Sequence, residues 1–141
     1  MCSSSQMSTS NNIYIAVIDD ESSLRTSLSR LLRLANFQPI SYPSAEAFLA
    51  DDKHPQFDCL VLDIRLGGMS GLDLFRQLAA QKTHAPVIFI TAFDEREMRA
   101  QAEALGCAGF FPKNTSGVEI IEAIRRATAP RDVTDLGEQP K

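Results

Sequence analysis

Five residues stand directly after short apolar runs and carry side chains able to do chemistry. Asp19 and Asp20 follow 13–18 (IYIAVI), and Asp63 follows 57–62 (FDCLVL). Thr91 follows 86–90 (PVIFI), and Lys113 closes AGFFPK at 108–113. Taken singly, each has an ordinary role as a helix cap, a turn residue or a solvated charge. Taken together, they sit at one kind of place. Carboxylates crowded together repel and raise one another's pKa, and a bound hard cation relieves this. Oxygen-only ligands favour magnesium, calcium or manganese over zinc. Magnesium takes one or two carboxylates plus phosphate oxygens. An ammonium and a hydroxyl complete the parts that hold a transferring phosphoryl group. One carboxylate can itself be the nucleophile.

The elements must bring these residues together. Apolar runs predict strands at 13–18, 37–42, 57–62, 86–90 and 108–111. Pro39 donates no amide, so the second strand belongs at a sheet edge. Helical spacing predicts a helix capped by Ser22 or Ser23 with Leu24, Leu28, Leu31, Leu32 and Ala35 on one side, ending at Asn36. A short helix over 44–50 uses Phe48 and Leu49. Others span 70–80 (Leu72, Phe75 and Leu78 inward), 94–105 (Met98, Ala102 and Leu105 inward, stopped by Gly106) and 117–128 (Val118, Ile121 and Ile124 inward). Strands alternating with helices predict an α/β fold with a parallel sheet covered on both faces. In such a sheet all strand C-termini line one edge, and ligands bind where the strand order reverses. Under the order 2-1-3-4-5, Asp19, Asp20 and Asp63 converge there, flanked by Thr91 and Lys113.

Composition narrows the rest. At 141 residues, 44% apolar and 23% charged, the chain has material for one domain with a real core. The polar stretch 1–12 and the Pro- and charge-bearing stretch 129–141 read as tails around a domain at 13–128. A net charge of −4 is poorly suited to neutralising a nucleic-acid backbone. The longest clean apolar run is six residues, against about 20 for a membrane helix. Three scattered cysteines and two histidines make neither a disulfide framework nor a zinc site, which fits a reducing cytoplasm.

The sequence resembles the receiver domains of two-component response regulators. The resemblance covers about 12–128 and rests on IAVIDDE (15–21), CLVLDIRLGGMSGLDL (59–74), PVIFITA (86–92) and GCAGFFPK (106–113). The SAEAFL and MSGL stretches resemble receivers that precede LuxR-type output modules. The resemblance implies a flavodoxin-like five-stranded doubly wound fold. It implies that Asp63 accepts a phosphoryl group from a phosphohistidine on a sensor kinase or phosphotransfer protein. Asp20, Asp63 and the Arg65 carbonyl then ligate Mg2+ or Mn2+, with Asp19 acting through the metal or its waters. Thr91 and Lys113 bind phosphoryl oxygens. Thr91 and Phe110 form the switch, and the face of the fourth helix, fifth strand and fifth helix contacts a downstream protein. A homodimer linked to phosphorylation is compatible with this.

The chain departs from the family in places. Lys113 precedes Asn114 instead of the usual proline, so the peptide bond is either trans, which can move Lys113, or a cis non-proline bond costing about 2.5–4 kcal/mol. Leu66-Gly67, followed by Gly68, replaces the usual Met-Pro after the acceptor, which predicts a more flexible loop. Arg65 and bulky Phe93 occupy positions that tune hydrolysis. The alternative reading is a degenerate receiver that binds partners without phosphorylation. A phosphohydrolase is disfavoured because a second acid two residues after the nucleophile is absent, that position being Arg65. A flavodoxin-like cofactor binder is disfavoured because Asp19-Asp20-Glu21 repels phosphate.

Overall fold

The computed structural model describes residues 12–81, 84–92 and 96–129. The tails read at 1–12 and 129–141 lie, apart from Asn12 and Ala129, outside the described residues, as do Phe93 and Asp94. Five strands form one parallel sheet: β1 (Tyr14–Ile18), β2 (Gln38–Tyr42), β3 (Cys59–Leu62), β4 (Val87–Thr91) and β5 (Gly109–Pro112), in the order β2-β1-β3-β4-β5. Five helices alternate with them: α1 (Ser22–Leu34), α2 (Ala45–Ala50), α3 (Gly71–Ala79), α4 (Arg96–Ala104) and α5 (Gly117–Thr128).

The three inner strands β1, β3 and β4 are apolar on both sides because each side meets helices. Ala16, Ile18, Leu60, Leu62, Val87 and Phe89 pack with Phe48, Leu72, Phe75 and Ala102 from α2, α3 and α4. Their alternates Ile15, Val17, Cys59, Val61, Ile88 and Ile90 pack with Leu28 and Leu32 of α1 and Ile120, Ile121 and Ile124 of α5. The period of two along each strand thus assigns residues to two cores.

Side-chain caps fix three helix starts. Ser44, Ser70 and Ser116 accept from the backbone N–H groups of Ala47, Asp73 and Glu119. The first helix differs from expectation. It begins at Ser22 with Glu21 as N-cap and no side-chain cap bond, so neither Ser22 nor Ser23 caps it. Asn36 takes a φ of 72°, the left-handed geometry that ends a helix. Pro39 lies on the edge strand β2, and the opposite edge β5 ends in Pro112.

Three expectations are corrected: Val118 is 69% exposed, Leu49 is 41% exposed, and Leu31, read on one side of α1 with Leu28 and Leu32, is 39% exposed. The buried side of α1 runs through Leu28 and Leu32. The buried stripe of α5 runs through Ile120, Ile121 and Ile124, and at about 100° per residue Val118 falls on its flank. In six-residue α2, Ala45 and Phe48 take the inward positions, leaving Leu49 a turn-fraction away.

Candidate functional site

Register builds the site. Ile18 pairs with Leu62 and Tyr42, so Asp19 and Asp63 leave adjacent strands side by side. Their backbones stay in the ladder: the Asp19 N–H donates to the Tyr42 carbonyl at 3.1 Å, and the Asp63 N–H to the Ile18 carbonyl at 3.1 Å. Thr91 pairs with Pro112, and the Lys113 N–H donates to the Thr91 carbonyl at 2.9 Å. Asp19, Asp63 and Thr91 are buried, whereas Asp20 is exposed.

Lys113 ties the acids together. Its Nζ lies 3.0 Å from Asp63 Oδ2, 3.2 Å from Asp19 Oδ2 and 3.1 Å from Glu21 Oε1. No cis peptide bond occurs among the described residues. The Lys113–Asn114 bond is therefore trans, and Lys113 still reaches the acids. Burial alone would pull its ammonium down, but the hydrogen bonds to Asp63 and Glu21 outweigh this and hold it above the ordinary lysine value. Burial pushes the Asp19 carboxyl up to about 6; the Glu21 N–H opposes this, the Asp63 charge adds to it, and Lys113 opposes it. Glu21 is held below the usual carboxylate range by Lys113.

Carboxylate oxygens of Asp19, Asp20 and Asp63 lie within 4.8 Å of one another. This all-oxygen donor set, one member open to solvent, fits a hard divalent cation. The Arg65 N–H donates to Asp63 Oδ1 at 3.2 Å, which places Arg65 beside Asp63. Phe110 is buried against Phe89, with the Arg99 guanidinium 5.1 Å from its ring centroid. Of the residues singled out in the sequence, Phe93 lies outside the described residues; Asp19, Asp20, Asp63, Arg65, Thr91 and Lys113 cluster at this edge, and Phe110 lies farther down β5.

Three residues escaped the sequence reading. Glu21 is a direct partner of Lys113, and the acid following an Asp pair was a signal for it. Arg25 Nη1 donates to the Asp19 carbonyl at 2.8 Å, and Glu46 accepts from the Met69 N–H at 2.8 Å. The Arg25 bond spans six residues across the turn into α1 and the Glu46 bond spans 23 residues, and neither follows from helical or strand periodicity. A cavity of about 400 Å3 lined by Phe48, His54, Phe57 and His84 lies at the other edge of the sheet, away from the acids.

Residues 15–125 match the model of the response regulator receiver domain. The chain belongs to this family. The receiver is 34% identical to nodulation protein W of Bradyrhizobium diazoefficiens, over 84% of this chain and 52% of that protein. It is 36% identical to the transcriptional regulatory protein FixJ of Rhizobium meliloti, over 88% of this chain and 63% of that one. The receiver thus spans about half to two thirds of the length of these relatives. The crystal structure of FixJ-N matches with a TM-score of 0.75 and 36% identity, over 84% of this chain and 94% of that one. A CheY-like receiver from Methanospirillum hungatei, 19% identical, shares the fold at a TM-score of 0.78, over 84% of this chain and 94% of that one.

Proposed function

We propose that this receiver is a phosphoacceptor switch, with Asp63 as the acceptor. The observation that carries this is the buried Asp63 carboxylate, held at 3.0 Å by Lys113 beside Asp19 and Asp20. A carboxylate oxygen of Asp63 attacks the phosphorus of a phosphohistidine on a sensor kinase or phosphotransfer protein. The P–N bond breaks as the P–O bond forms, and the imidazole, already protonated on its other ring nitrogen, leaves as the neutral base. Asp20, Asp63 and the Arg65 carbonyl would hold Mg2+ or Mn2+, with Asp19 beside them. That ion, when bound, supplies positive charge to the phosphoryl oxygens. Lys113 passes from the free carboxylate to a phosphoryl oxygen, and the Thr91 hydroxyl donates to another.

The product carries roughly two negative charges and three acceptor oxygens if the phosphoester figure transfers. Drawing Thr91 toward them opens space beside Phe110 on the neighbouring strand. Phe110 packs on Phe89 under Arg99, so its movement reaches α4 and the face that α4, β5 and α5 share. A downstream protein or a second copy reads that face, at a typical coupling of about 1–3 kcal/mol. The domain turns over no separate substrate. We place it in the cytoplasm, consistent with the absence, among the described residues, of a helix able to cross a membrane.

The test is labelling by acetyl phosphate with Mg2+. Wild type should acquire one acid-stable, hydroxylamine-labile phosphoryl group, and Asp63→Asn should acquire none. Labelling that persists in Asp63→Asn sinks the assignment of the acceptor.

A further inference from the structure

The loop from Asp63 to α3 is tied down by a residue outside the acidic cluster. Glu46, in the first turn of α2, accepts from the Met69 N–H at 2.8 Å. That bond holds the Glu46 carboxyl below its ordinary range. Next to Met69, Gly68 has a φ of 91°, a conformation that suits glycine. A β-carbon at Gly68 would lie 2.6 Å from Glu46 Oε2, so the missing side chain also lets the carboxylate approach. Nothing lies within 4 Å of the position a β-carbon would take at Gly67. The two glycines therefore give this stretch wide backbone freedom where the family carries a stiffening proline.

The ends of the loop are fixed in other ways. Ile64 and Leu66 are buried, and the Gly71 N–H donates to the Ile64 carbonyl at 2.9 Å. Glu46 supplies a fixed point between them. Arg65 lies in the first part of the same loop, with its N–H on Asp63 Oδ1.

We propose that Glu46 is a positioning residue: its hydrogen bond to Met69 holds the glycine-rich loop so that the Arg65 carbonyl is preset beside Asp63 for a divalent cation. This deepens the phosphoacceptor reading and rests on it. The glycines leave the loop many conformations; the carboxylate selects one before the cation arrives. Ordering that is complete beforehand need not be supplied by binding. The role requires an acceptor oxygen at that reach, not a negative charge.

The test compares wild type with Glu46→Gln, Glu46→Ala and Gly68→Ala. Amide hydrogen exchange at Met69 reads the bond itself. In Glu46→Ala and Gly68→Ala the Met69 amide should exchange about tenfold faster, the effect of losing one hydrogen bond to a charged group. Glu46→Gln should keep most of the protection. Calorimetric titration with Mg2+ alone reads the consequence: Glu46→Ala should bind about three- to tenfold more weakly, and Glu46→Gln within about twofold of wild type. Unchanged Met69 exchange in Glu46→Ala or Gly68→Ala overturns the proposal. So does a Glu46→Gln variant that behaves like Glu46→Ala, or faster exchange with unaltered Mg2+ affinity. Failure of wild type to bind Mg2+ or to label overturns the phosphoacceptor reading instead, and Met69 exchange still reports the bond.

Discussion

Lys113 shows how one side chain can settle a crowded site. Three acids face it within 3.2 Å, and two of them, Asp19 and Asp63, are almost completely buried. A buried charge without a partner is strongly destabilising, so the ammonium serves stability until another group takes the acids over. A simpler pair elsewhere illustrates the same chemistry. The Tyr42 hydroxyl donates to Asp51 Oδ2 at 2.6 Å, and this bond, ahead of the Lys53 N–H and the neighbouring His54 and Lys53 charges, lowers the Asp51 pKa from its ordinary 3.8. A carboxyl whose folded pKa is depressed adds stability above its unfolded pKa and loses it as pH falls through the folded one. In urea denaturation from neutral pH down to about 2.5, wild type should therefore exceed Asp51→Asn by a constant margin above about pH 5. The margin should shrink below that. A margin that grows in acid would contradict the assignment.

Gly71 is where an element sets the site. It opens α3, and a β-carbon there would fall on the Asp63 carbonyl oxygen. The helix can start this close to β3 only because the residue has no side chain. Gly71→Ala should lower stability by about 1–3 kcal/mol, as overpacking does, and should slow acetyl-phosphate labelling by shifting Asp63. Melting and labelling measured on one preparation check both; full stability with normal labelling would show that the approach is not tight. The elements themselves were legible. Runs such as 13–18 and 86–90 are apolar on both sides, and turn residues bracket them. The convergence of Asp19, Asp63, Thr91 and Lys113 was legible too, because parallel strands place all their C-termini along one edge. Less legible was the rotation of each helix about its axis. In α5 the spacing 118, 121, 124 is as helical as the true stripe through Ile120, Ile121 and Ile124, and only packing against the sheet distinguishes them. Least legible were Arg25 and Glu46. Local periodicity carries no trace of a bond that joins α2 to a loop 23 residues later.

At the scale of the whole molecule, one sheet separates two cores, and both must form for the acidic edge to exist. Phe75 lies in one of them with no exposed surface, edge-on to Phe89 at 5.5 Å. Phe75→Ala should lose about 3–5 kcal/mol, a large part of the roughly 5–15 kcal/mol that holds a typical domain together. Urea denaturation followed by circular dichroism should keep a single transition of unchanged slope at a lower midpoint. Two separated transitions would mean that the cores fold independently. The edges of the sheet carry a different consequence. An open sheet is a template for unlimited growth, because each free edge offers unpaired backbone groups to the next chain. Here Pro39 stands in one outer strand and Pro112 at the end of the other, and proline has no N–H to give. The Gln38 N–H turns inward to the Ile13 carbonyl, so Pro39 leaves its gap on the outer side of β2, and a chain laid there meets a break in the ladder. That edge is thereby turned away from stacking strand on strand into fibres.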